Sequence, residues 1–106
     1  MSLARFSPQA ARDLDEICLY IAADNPAAAG QVRSAILDFA DLIARYPALG
    51  RRIRGAGARH TQICWVVVPP YPNYLVFFQP HADSIMVVRL LHAAQDWMRF
   101  FPRNGP

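Results

Sequence analysis

Val87-Val88-Arg89-Leu90-Leu91-His92-Ala93-Ala94-Gln95-Asp96 is an apolar strand broken by one arginine and closed by a histidine and a short polar turn. Strict alternation sets Arg89 among Ile85, Val87 and Leu91 on one face. An unpaired guanidinium cannot be buried there, because its desolvation costs more than the face can return. Arg89 therefore pairs with an acid (Asp13, Asp15 and Glu16 are the candidates), or stands at the rim of a groove and receives a phosphate or carboxylate from outside. His92 has the chemistry of a general base near neutral pH. No Ser, Cys or carboxylate motif adjoins it, so a structural histidine at a strand end outweighs a catalytic one, and His60 and His81 offer less still.

Working outward, Thr61 to Val68 and Tyr74 to Phe78 are two more apolar runs. Pro69-Pro70-Tyr71-Pro72-Asn73 separates them, and Gln79-Pro80-His81-Ala82-Asp83-Ser84 turns the chain into the quoted strand. Short connections make this three-strand meander antiparallel, and Thr61 to Val68, apolar on both faces, is central. Upstream the period changes from two to three and four. Ser7-Pro8 supplies an N-cap hydroxyl and a first-turn proline, and Ala11, Leu14, Ile17, Cys18 and Ile21 then form a stripe with Arg12, Asp13, Asp15 and Glu16 around it. Asp24-Asn25-Pro26 ends that helix near Ala23 and caps the next, whose stripe is Ala29, Val32, Ile36, Phe39, Ile43 and Tyr46. Pro47 closes the second helix, so the two form an antiparallel hairpin. Leu3 to Phe6 reads as a first strand and residues 47–58 as a loop with three glycines and three arginines. Ala93 to Phe101 reads as a short helix, in which Trp97, Met98, Phe100 and Phe101 are either tucked onto the sheet or offered to a partner. The order is β-α-α-β-β-β plus a C-terminal segment, an α+β chain with one domain over 1–101 and a tail over 102–106.

One core fits 106 residues that are 54% hydrophobic. The longest apolar run, Ile63 to Pro70, is far short of the roughly 18 residues of a membrane span, and the N-terminus has no signal-peptide pattern. Cys18 and Cys64 are separate and in apolar surroundings, as buried thiols in a reduced cytoplasm would be, and lack the spacing of a zinc site. No metal or cofactor is expected: there is no dinucleotide or phosphate loop and no hydrolase elbow. The positive residues are eleven Arg and no Lys. A GC-rich genome explains that as well as selection for bidentate anion contacts does. Their distribution is more telling. Residues 1–46 hold four Arg against six acids, and residues 47–106 hold seven Arg against two. Arg51, Arg52, Arg54 and Arg59 cluster within nine positions, either as a solvated surface or as contacts to an acidic partner.

Taken in order, Ser7-Pro8, Asp13-Leu14-Asp15-Glu16-Ile17, Tyr20-Ile21-Ala22, Asn25-Pro26, Ala28-Ala29, Pro47-Ala48-Leu49-Gly50-Arg51, Arg59, Asn73 to Phe78 and Val88 to His92 with Asp96 make a pattern covering nearly the whole chain. It resembles the ParE/RelE superfamily, the toxins of bacterial type II toxin–antitoxin modules. The resemblance implies a RelE/ParE-like fold, with the helical hairpin packed on a twisted, mainly antiparallel sheet. It also implies a cognate antitoxin, ParD-like or similar, that wraps the toxin with an acidic amphipathic C-terminal segment.

Two activities occur in the superfamily. RelE-like members cut mRNA on the ribosome with several Lys/Arg and often a C-terminal Tyr or His. Here Arg89 matches a basic position of that site, Arg59 is its only companion and His92 is the acid/base candidate, a thin set for phosphoryl transfer. The chain is more similar to the ParE branch, which poisons DNA gyrase by binding, without sequence-specific nucleic-acid contacts. On that reading Arg51, Arg52, Arg54, Arg59 and Arg89 meet the antitoxin or the target. Relatives usually show Phe-Tyr-Arg at Phe77-Phe78-Gln79 and His-Gly-Ala-Arg-Asp at His92-Ala93-Ala94-Gln95-Asp96. The two glutamines leave open an inactive remnant that still binds its antitoxin.

Overall fold

The computed structural model describes residues 3–53 and 62–101, the side chain of Met98 excepted. Among the described residues seven helices and strands follow one another: β1 Leu3–Phe6, α1 Pro8–Ala22, α2 Pro26–Arg45, β2 Arg51–Arg52, β3 Cys64–Val68, β4 Tyr71–Pro80 and β5 Ser84–His92. Short 3-10 helices lie at Pro47–Leu49 and Trp97–Phe100. Both helix starts are capped as their sequences require. Ser7 Oγ accepts the Ala10 amide at 3.0 Å, and Asn25 Oδ1 accepts the Ala28 amide at 3.1 Å. Such caps contribute about 1 kcal/mol each. Ser7 Oγ also donates to the Val88 carbonyl at 3.1 Å, which pins the start of α1 to β5.

The strands form one sheet in the order β1-β5-β4-β3-β2. β3, β4 and β5 make the expected antiparallel meander, while β1 adds to β5 in parallel, Leu3 opposite Ser84 and Phe6 opposite Val87. The sheet is thus mixed and mainly antiparallel, packed against a helical hairpin. Four local expectations need correction. Residues 47–58 are not all loop, because Arg51 and Arg52 pair with Trp65 and Cys64 as an edge strand. The break after Val68 is only Pro69-Pro70, since Tyr71 already pairs with Val68 and Pro72 sits in a bulge without a β3 partner. The C-terminal helix shrinks to the single 3-10 turn Trp97–Phe100. In α1 it is Ala10, not Ala11, that is buried, and Asp13 is buried with it. Arg54, Arg59, His60 and the proposed tail at 102–106 lie outside the described residues.

Each face of the sheet has a core. On the helix side Leu14, Cys18, Val32, Ile36 and Phe39 meet Cys64, Val76, Phe78, Ile85, Val87 and Leu90. On the other side Ile53, Ile63, Leu75, Phe77, Leu91 and Phe101 close up under Trp65 and Trp97. Apolar residues on both faces of β3 follow from this double cover. A fifth correction lies in β5. Phe77 pairs with Arg89 but Phe78 pairs with Val87, so Val88 is an extra residue. That bulge reverses the alternation. Leu90 joins Ile85 and Val87 on the helix face, and Arg89 takes the side of Phe77 with its guanidinium 4.3 Å from the Phe100 ring centre.

Candidate binding surface

β1 accompanies β5 only as far as Val87, and beyond that point this edge of β5 has no strand neighbour among the described residues. α1 leaves β1 there and lays Asp13 along the edge. Asp13 Oδ2 accepts the Leu90 amide at 3.0 Å, in the place a ladder carbonyl would occupy. The same carboxylate accepts Arg89 Nε at 2.8 Å, Arg89 Nη2 at 3.1 Å and the Gln9 amide at 3.0 Å. Of the two readings of Arg89, the internal ion pair is therefore present, with Asp13 as the acid. Asp13 is 5% exposed, so this is a fixed pair and not a labile surface contact. Its sequence signal was its spacing: three residues after Ala10 and one before Leu14, Asp13 stands on the buried stripe.

His92 closes β5. Its Nδ1 accepts the Ala94 amide at 3.0 Å, which leaves Nε2 to carry the proton, and its ring meets Tyr74 edge-on at 5.5 Å. Gln95 Oε1 accepts the His92 amide at 2.8 Å. An arginine at this position has no acceptor, so the glutamine has a structural use that its departure from the family pattern concealed. Burial raises the Tyr74 hydroxyl, with nearby Tyr20 adding to the effect, and burial likewise raises the Cys64 thiol. Among the described residues no group of three or more His, Cys, Asp or Glu is placed to hold a metal ion.

Arg51 and Arg52 sit on the opposite edge, both exposed. Arg51 borders a groove of about 300 Å³ lined by Leu49, Trp65, Val66 and Val67. Leu49 and the nearby Tyr46 are exposed apolar side chains. Basic groups over an apolar floor are what an acidic amphipathic segment requires. β4 and β3 separate this edge from β5. Three strand spacings of ~4.8 Å put it about 14 Å away across the sheet. The structure thus brings Arg89 and His92 to one edge of the sheet and Arg51 and Arg52 to the other.

An α-helical hairpin on a five-stranded mixed sheet is the α+β architecture of the described residues, and it is shared with known toxin structures. The family described as "ParE toxin of type II toxin-antitoxin system, parDE" matches residues 4–97. A Sinorhizobium fredii protein, Y4kP, a toxin by name, is 34% identical over 93 residues, 88% of this chain and 90% of that protein. The chain belongs to the ParE toxin family of type II toxin–antitoxin systems. Two solved structures share its fold. One, from the chromosomal ParDE system of P. aeruginosa, matches with TM-score 0.64 at 20% identity, covering 87% of this chain and 95% of that one. The other, the conserved hypothetical protein HP0894 of Helicobacter pylori, matches with TM-score 0.54 at 15% identity, covering 90% of this chain and 98% of that one. Among the described residues no helix is long and apolar enough to cross a membrane.

Proposed function

We propose that this chain is a cytoplasmic toxin that inhibits DNA gyrase by binding it, and that a cognate antitoxin neutralises it with an acidic amphipathic segment. The observation that carries the choice of binder over nuclease is the dispersal of the candidate site residues among those described: Arg89 has Arg99 on the same Phe100 ring but neither Arg51 nor Arg52 beside it. Arg89 is held by Asp13, His92 has one ring nitrogen committed to a backbone amide, and Arg51 and Arg52 lie across the sheet. In-line phosphoryl transfer needs several positive groups converging on one phosphate. The antitoxin surface is supported by the Arg51 groove, whose apolar floor and exposed charge match such a segment. Arg54 and Arg59 extend the same loop in sequence.

Expression without antitoxin is expected to cause a DNA-damage response and filamentation while mRNA stays intact. The purified chain is expected to inhibit gyrase supercoiling. Ribosome-dependent mRNA cleavage, lost in Arg89→Ala, would reverse the assignment in favour of a RelE-like nuclease. Normal growth together with retained antitoxin affinity would identify an inactive remnant.

A further inference from the structure

A cleft of about 430 Å³ opens where the C-terminal half of α1 passes the ends of β4 and β5, lined by Glu16, Ile17, Tyr20, Tyr74 and His92. Its chemistry is one-sided. Glu16 brings a carboxylate, the tyrosines bring phenol oxygens and ring faces, and His92 brings a ring whose Nδ1 already accepts an amide. The Tyr74 hydroxyl, pushed upward by burial and by Tyr20, stays neutral at physiological pH. Among the described residues no arginine or lysine lines the cleft. α1 carries three acids, and two have partners inside the chain: Asp13 holds Arg89 and Asp15 holds Arg33 at 2.8 Å. Arg12 turns back to Gln9. Glu16 has no ion-pair partner among the described residues, and beside it Tyr20 is 80% exposed.

A free carboxylate among aromatic ring faces is complementary to a planar cation. Arginine fits better than lysine, because its guanidinium forks onto a carboxylate while stacking on a ring. We propose that this cleft receives an arginine side chain of the antitoxin, held by Glu16 and lying against Tyr20 and Tyr74. The inference rests on the reading that an antitoxin neutralises the chain. The Arg51 groove at the far edge of the sheet has the opposite sign. A single partner segment crossing the sheet would carry acids at one end and an arginine at the other, and could bind in only one direction.

Two measurements test this. Titrating the toxin with N-acetyl-arginine methylamide should move the ring resonances of Tyr20 and Tyr74 saturably. The citrulline analogue should not move them, and Glu16→Gln should weaken the effect by about tenfold, the factor one charge-assisted contact carries. In the full complex with its cognate antitoxin, Glu16→Gln should weaken affinity by about tenfold at an unchanged melting temperature, with Asp24→Asn as the neutral control. Rings that do not move at saturating arginine amide overturn the proposal. So does arginine-amide binding combined with unchanged antitoxin affinity, since the cleft then serves another partner. If no antitoxin binds the wild-type chain, the proposal falls with the reading beneath it. Ring movement in the titration would then show that the fault lay in that reading and not in the cleft.

Discussion

The Asp13 carboxylate accepts four hydrogen bonds, one from Gln9, two from Arg89 and one from the Leu90 amide, the last where β1 no longer pairs with β5. Removing Arg89 leaves that buried charge with two neutral donors and leaves Phe100 with Arg99 alone, 4.9 Å from its ring centre. Breaking a buried pair from one side costs about 3 kcal/mol, and in a domain of this size that lowers the melting temperature by at least about 10 °C. Arg89→Ala is therefore expected to be a stability variant. Its folded fraction should bind antitoxin within about threefold of the wild type, well under the tenfold that one charge-assisted contact carries. Calorimetry and a binding titration on this one protein decide the matter: unchanged melting with lost affinity would return Arg89 to the binding surface. The sequence left Arg89 open between those readings because an arginine's partner depends on tertiary neighbours, here a residue 76 positions away.

At the scale of elements, what could be read from sequence was what local chemistry determines. Ser7-Pro8 and Asn25-Pro26 carry their caps in their own side chains, so α1 and α2 start where expected. The extra residue Val88 carries no such mark. A bulge is a property of the pair Phe77–Phe78 and Val87–Arg89 together, and strict alternation therefore put Arg89 on the wrong face. β2 was equally hidden, since two arginines become a strand only by borrowing the edge of β3. What makes that approach possible is Gly50, just before β2. A Cβ on it would lie 2.5 Å from Phe78 Cζ and 3.1 Å from Cys64 Cβ, and Phe78 is fully buried. The backbone of Gly50 is ordinary, with φ of −85°, so the demand is for space alone. Gly50→Ala should thus cost about 2 kcal/mol through overpacking. Gly30→Ala, where nothing lies within 4 Å of the added atom, should stabilise α2 by about 0.5 to 1 kcal/mol. Denaturation midpoints of the two variants should move in opposite directions, and a neutral Gly50→Ala would contradict the packing described.

The described residues stack three layers deep: helical hairpin, sheet, and the segment Trp97 to Phe101 on the second face. The sequence left Trp97 and its neighbours undecided between core and partner surface, since an aromatic cluster near a chain end reads the same either way. Contacts decide it for the described residues. Phe77 stacks on Phe101 at 4.9 Å and tilts against Trp97 at 5.3 Å, and Trp65 meets Trp97 at 6.3 Å. A sheet whose other face is apolar needs that cover, because Leu75, Phe77 and Leu91 are otherwise turned to water. Trp97 is half-buried, so Trp97→Ala should remove about 2 kcal/mol, less than the loss of a fully buried aromatic. The effect should not add to that of Arg89→Ala, because Phe100 lies beneath the guanidinium within the same turn as Trp97. Truncation after Asp96 should go further. The far-UV signal of the helices should persist, because their core lies on the other face. Cooperative melting should be lost, and a dye that reports exposed apolar surface should bind. A truncated chain that melts as sharply as the full one, without dye binding, would show that the second core is dispensable and that the aromatic segment is free for a partner.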